Sequence, residues 1–171
     1  MDQYGHMSAT PIEFLCIVKK QFCQRGRLYA ELGQIQFLDL QLEHFYGPGA
    51  PEDQFVTWVV RRLKSGEPLE LTAGTQRRDF IYIDVLRVYR IIIDKEFKDS
   101  YVEIPVGTGV APTIREVVEY LKEITQSQSE LRFGNIPQRA NEPNSCCDIE
   151  TLKVLGAAPS VGWKEDMAKL R

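Results

Sequence analysis

Residues 74–84 read Gly74-Thr75-Gln76-Arg77-Arg78-Asp79-Phe80-Ile81-Tyr82-Ile83-Asp84. A turn centred on Gly74 is followed by two arginines, and Phe80 to Ile83 is a short apolar and aromatic run of the kind that forms a buried strand. Asp84 is suited to cap a helix running from Val85 to about Phe97. Turn, strand and helix follow one another, and the same alternation continues in both directions. Upstream, Ile35 to Leu42 reads as a buried strand and runs into the polar, turn-rich stretch Glu43-His44-Phe45-Tyr46-Gly47-Pro48-Gly49. An amphipathic helix then spans about Glu52 to Lys64, with a stripe of Phe55, Val56, Val59, Val60 and Leu63, and Gly66 ends it. Pro68 to Leu71 is a short strand. Downstream, the strand Val102 to Val106 leads into Gly107-Thr108-Gly109, and Thr113-Ile114-Arg115-Glu116 is a capping box that opens another helix. Leu131 to Phe133 is a small strand and Pro137 to Ser145 a polar loop. Asp148 caps a short helix ending at Gly156, and Trp163, Met167 and Leu170 mark the last helix.

The first helix has its own start signal, Thr10-Pro11-Ile12-Glu13, and should run to about Leu32 and stop at Gly33. Phe14 to Val18 is apolar on every side, which predicts burial on all faces, in a core or in a subunit interface. Residues 1–10 show no periodicity, and residues 11–171 read as a single domain. Strands alternating with helices predict an α/β class with parallel strands, whose ligands bind in loops at the carboxyl ends of those strands.

The bulk composition excludes several classes. With 21 basic and 24 acidic residues in 171, the net charge of -3 gives no basic surface for nucleic acid or membrane. A few converging arginines would still suffice for a small anion. Cys16, Cys23, Cys146 and Cys147 show no metal-ligand spacing, which predicts reduced thiols and no zinc site. The apolar run from Phe80 to Ile93 is broken by Asp84, Arg87 and Arg90, so no span is expected. No signal peptide is read at the N-terminus, and the expected location is the cytoplasm.

Several residues admit both a structural and a functional reading. Lys19 falls in the apolar stripe of the first helix, where a lysine either snorkels outward or is desolvated for chemistry. Tyr46-Gly47-Pro48-Gly49 is a tight turn. Arg77 and Arg78 are either a solvated pair or a fork for phosphate oxygens, and Arg139 with Glu142 admits the same two readings. Gly107-x-Gly109 follows a strand and could approach a phosphate, but it lacks the remainder of a dinucleotide fingerprint.

Taken in order, these pieces resemble the extended short-chain dehydrogenase/reductase family, which includes the NAD(P)-dependent epimerases and dehydratases of nucleotide sugars. The pieces are a lysine helix, a strand ending in Y-G-P-G, the Arg78-Asp79-Phe80 run, Val106-Gly107-x-Gly109, Ile114-Arg115-Glu116 and Arg139-x-x-Glu142. The resemblance covers nearly everything from Pro11 onward and matches the carboxyl-terminal portion of such proteins. It implies the distal part of a Rossmann-like parallel sheet with a small nucleotide-sugar-binding lobe. It also implies that His44, Tyr46, Arg78, Arg139 and Glu142 bind substrate. Lys19 would be the lysine that holds the nicotinamide ribose and lowers the pKa of a catalytic tyrosine four residues before it. Here that position is Leu15, which has no proton to move, so Lys19 reads as vestigial. The family's glycine-rich dinucleotide segment would precede Pro11.

The resemblance therefore implies a truncated or split epimerase, dehydratase or reductase, inactive alone and binding no NAD or NADP. Its ligand would be a nucleoside diphosphate sugar, and it would pair with itself or with a full-length relative. The alternatives from other classes are a non-catalytic nucleotide-sugar-binding module and a dimerising interaction protein.

Overall fold

In the computed structural model, which describes residues 11–83, 86–138 and 142–171, helices and strands alternate as expected. The chain packs as two compact units. The first comprises residues 11–40 and 96–104 among those described. It is built from helix α1 (Pro11–Glu31) and two hydrogen-bonded strands, β1 (Phe37–Leu42) and β5 (Tyr101–Val106), which continue beyond it. One face of α1 meets this sheet. Gly26 allows the Phe37 ring to approach, since a Cβ there would lie 2.4 Å from its edge. Phe37 stacks on Tyr101 at 5.7 Å. Arg27 lies over the Tyr101 ring and pairs with Glu103 at 3.2 Å.

The second unit comprises residues 41–95 and 105–171. Strand β2 (His44–Tyr46) pairs in parallel with β4 (Phe80–Tyr82), with His44 opposite Phe80. Strand β3 (Leu69–Leu71) pairs in parallel with β6 (Leu131–Phe133). Four helices complete the unit's main framework: α2 (Phe55–Ser65), α3 (Leu86–Ile93), α4 (Ile114–Thr125) and α6 (Trp163–Ala168). The short α5 (Glu150–Val154) lies between α4 and α6 in the chain. Helices α2 and α4 supply Val59, Leu63, Val117, Val118 and Leu121 to one core with Leu69, Leu71 and Phe80. Phe80 and Ile81 are both buried, although they point to opposite faces of β4, as in a parallel strand covered on both sides. The capping box at α4 is formed: the Thr113 hydroxyl accepts from the Glu116 N–H, and the Glu116 carboxylate accepts from the Thr113 N–H. Gly66 closes α2 in the left-handed region at φ +75°, a conformation that favours glycine.

Three expectations are corrected. The stretch His44–Tyr46, read as part of a turn-rich run, is a strand, because parallel pairing with β4 satisfies its backbone where the local sequence offers little. Helix α2 begins at Phe55 rather than Glu52 and so has no acidic residue in its first turn. Of the two settings expected for the apolar first half of α1, this chain's own core is ruled out, with Phe14 64% and Leu15 52% exposed, and the subunit interface is left. Asp84, expected to cap α3, lies outside the described residues. No described helix is long and apolar enough to cross a membrane.

Candidate functional site

Buried Asp79 organises the site from beneath. Its carboxylate accepts from the Thr108 N–H at 3.0 Å, the Thr108 hydroxyl at 2.5 Å, the Gly109 N–H at 2.9 Å and the Cys147 N–H at 3.2 Å. The two backbone N–H groups of the Gly107-Thr108-Gly109 turn that could have faced a phosphate are therefore committed to Asp79. Gly107 is required by this packing, since a Cβ would sit 2.2 Å from that of Cys147. Burial, with the Asp79 charge next, pushes the Cys147 thiol up to about 12.

On the neighbouring residue the two arginines part. Arg77 turns its guanidinium to the Ala111 carbonyl, 3.0 Å away, so it is not the second prong of a fork. Arg78 is nearly buried, its side chain 12% exposed, and donates to Glu142 at 2.9 Å, to the Arg77 carbonyl at 2.9 Å and to the Pro143 carbonyl. Asn144 accepts from the Arg77 N–H at 2.8 Å, and Ser145 donates its N–H to the Arg77 carbonyl at 3.1 Å. Residues 142–145 are thus seated along the approach to β4.

Arg78 and Glu142 stand on the wall of a cavity of about 520 Å³. Phe55 and Trp58 from α2, Leu71 from β3, Phe80 from β4 and Ile114 from α4 give it broad apolar walls. Phe55 and Phe80 lie nearly parallel, with centroids 6.3 Å apart. The polar groups are few: Glu70, Thr72, Gln76, His44, Arg78 and Glu142. This is the composition of a small-molecule pocket, apolar surface with a handful of placed polar groups. His44 rests against the Phe80 ring at 5.9 Å. Burial, and then the positive charge of Arg78, hold its imidazole below its ordinary pKa, so it is neutral at pH 7.

Of the residues picked from sequence, His44, Arg78 and Glu142 meet at this cavity. Tyr46 does not line it. It is 1% exposed in the core, edge-on to Phe80 and Tyr82, with no described partner for its hydroxyl. Burial holds that hydroxyl well above its ordinary pKa. Arg139 lies outside the described residues. Lys19 is exposed on α1, in the other unit. Sequence reasoning missed Asp79, Gln76, Phe55 and Trp58 as site residues. The latter two carried a signal, aromatic rings three apart on a helix that follows a strand, but the amphipathic stripe accounted for Phe55 as core.

No described group of three or more His, Cys, Asp or Glu could hold a metal. The Thr108 and Gly109 amides serve Asp79 and so are not free to cradle a phosphate.

Fold and site together define a Rossmann-like α/β protein with an arginine-bearing side pocket. The chain belongs to the NAD dependent epimerase/dehydratase family, whose model matches residues 17–107. A CDP-abequose synthase from Salmonella typhimurium is 34% identical over 90% of this chain and 54% of its own length. A UDP-glucose 4-epimerase from Thermotoga maritima, solved with UDP-glucose, superposes with a TM-score of 0.78 at 25% identity, over 89% of this chain and 50% of its own. MoeE5, solved with UDP-glucuronic acid and NAD, gives 0.73 at 26% identity, over 83% and 48%. The chain spans about half the length of the relatives it matches.

Proposed function

We propose that this chain binds a nucleoside diphosphate sugar in the Arg78 cavity and is the substrate-holding part of an epimerase, dehydratase or reductase of such sugars. The observation that carries the reading is a nearly buried guanidinium beside flat apolar walls. Arg78 has five N–H donors and three described acceptors, so two donors remain for a phosphate. Arg139 is the second cation of this reading. The chain alone does not turn substrate over, because the residue four before Lys19 is Leu15, with no proton to move. Titration calorimetry with cytidine, uridine and thymidine diphosphate sugars tests the binding. Arg78→Ala weakens it roughly tenfold or more, from the roughly 1.5–3 kcal/mol of a charge-assisted contact. Arg78→Lys rescues it only in part, because an ammonium cannot make the bidentate contact. Absence of binding to the unmutated chain refutes the reading.

A second reading is favoured by α1, whose Phe14, Leu15, Phe22 and Leu28 are all more than half exposed. An apolar helix so presented associates with a second copy or a full-length relative. Light scattering reporting a clean monomer at high concentration opposes it.

A further inference from the structure

Gln76 is 9% exposed on the wall of the Arg78 cavity, and its side-chain oxygen has no hydrogen-bond donor among the described residues. Its nitrogen donates to the Thr72 hydroxyl at 3.3 Å. Its backbone is fixed, since the Gln76 carbonyl accepts from the Ile114 N–H at 3.0 Å. A buried carbonyl oxygen without a donor is unfavourable, and none of the cavity's other polar side chains, Glu70, Thr72, His44, Arg78 and Glu142, donates to it among the described residues. Resting on the nucleotide-sugar reading above, we propose that Gln76 selects the base, accepting a hydrogen bond from the exocyclic amine of cytosine.

The chemistry separates the pyrimidines. Cytosine presents an N4 amine, a donor, where uracil and thymine present the O4 carbonyl, an acceptor. At the 4-position an unsatisfied acceptor gains a bond from the first and faces another oxygen in the second, whose one donor on that edge is the ring N3–H. The terminal torsion of glutamine is soft, so a small turn brings the oxygen to the cavity while the backbone stays in place. Arg78, on the same wall, remains available to the diphosphate.

The experiment is calorimetric titration of the chain with CDP, UDP and dTDP, repeated for Gln76→Leu and Gln76→Glu. The unmutated chain should bind CDP roughly tenfold tighter than UDP or dTDP. Gln76→Leu, of similar length and without an acceptor, should lower CDP affinity to the level of UDP and leave UDP within about twofold. Gln76→Glu keeps an acceptor and should keep the preference. Far-UV circular dichroism establishes that each variant is folded. Equal binding of all three nucleotides by the unmutated chain overturns the role given to Gln76 while the nucleotide-sugar reading stands. A CDP preference that survives Gln76→Leu does the same, and a UDP preference assigns the opposite amide orientation and also overturns it. Binding of none of the three overturns both readings.

Discussion

Replacing Asp79 by asparagine is the most informative single perturbation of the site's foundation. The change keeps the shape and removes the charge. The wild-type carboxylate serves three backbone N–H groups and one hydroxyl, all within 3.2 Å, and is fully buried. The amide nitrogen must replace one of the two oxygens. The position of Oδ1 is the less damaging choice, because its short partner is the Thr108 hydroxyl, which can turn its proton to the Val110 carbonyl, 3.1 Å away, and accept instead. The remaining oxygen then faces the Thr108, Gly109 and Cys147 N–H groups. Each of these three contacts falls from the roughly 1.5–3 kcal/mol of a charged acceptor to the roughly 0.5–1.5 of a neutral one, a loss of about 3 kcal/mol in all. Asp79→Ala leaves all three buried donors without an acceptor, at roughly 1–3 kcal/mol each, and should cost about 5 kcal/mol or more. Marginal domains have only about 5–15 kcal/mol, so the alanine variant should lose its cooperative transition. Urea denaturation followed by circular dichroism measures both. An Asp79→Asn cost below about 1 kcal/mol, or an alanine variant no weaker than the asparagine one, would refute this account of the turn.

The remaining predictions concern other parts of the chain. Thr113→Ala, which removes one half of the α4 capping box, should cost about 1 kcal/mol of stability by the same assay. The Thr113 N–H holds the Glu116 carboxyl below its ordinary pKa, so Glu116 contributes stability above the unfolded carboxylate range that is lost as pH falls through its folded value; Glu116→Gln should flatten that acid limb. Gly107→Ala should destabilise strongly, because its methyl would meet Cys147 at 2.2 Å and the Asp79 carboxylate at 2.6 Å; a melting temperature within a degree or two of wild type counts against the close packing described there. Leu15→Tyr alone should yield no hydride transfer in a nicotinamide absorbance assay, since Leu15 is 52% exposed and a phenol there would stand in solvent.

What the sequence disclosed and what it withheld follow from the range of the forces involved. The start of helix α4 was legible to the residue because a capping box is a contact between neighbours, Thr113 with Glu116, and needs no knowledge of the rest of the fold. Gly66 was legible for the same reason. Strand β2 was not: His44 to Tyr46 gains its pairing from Phe80 to Tyr82, and nothing within a window around Tyr46 announces those partners. Arg77 and Arg78 were indistinguishable as letters, yet one guanidinium ends on the Ala111 carbonyl and the other on the cavity wall. The same distinction explains Tyr46, which the Y-G-P-G pattern marked as a ligand contact and the packing placed among Phe80 and Tyr82. Asp79 is the sharpest case. In sequence it is one carboxylate beside two cations, an apparent local ion pair. In space its partners are the backbone at Thr108, Gly109 and Cys147, and the arginines go elsewhere. The Arg78-Asp79-Phe80 run thus joins three separate tasks on consecutive residues. Arg78 lines the cavity, Asp79 holds the Gly107-Thr108-Gly109 turn, and Phe80 is a core ring that also forms the cavity's wall. Arg78 and Asp79 lead directly into β4, which begins at Phe80, so cavity and support are built from one short stretch. A substitution at Asp79 is therefore expected to reach the cavity through the backbone at Arg78 and Phe80 without touching a ligand.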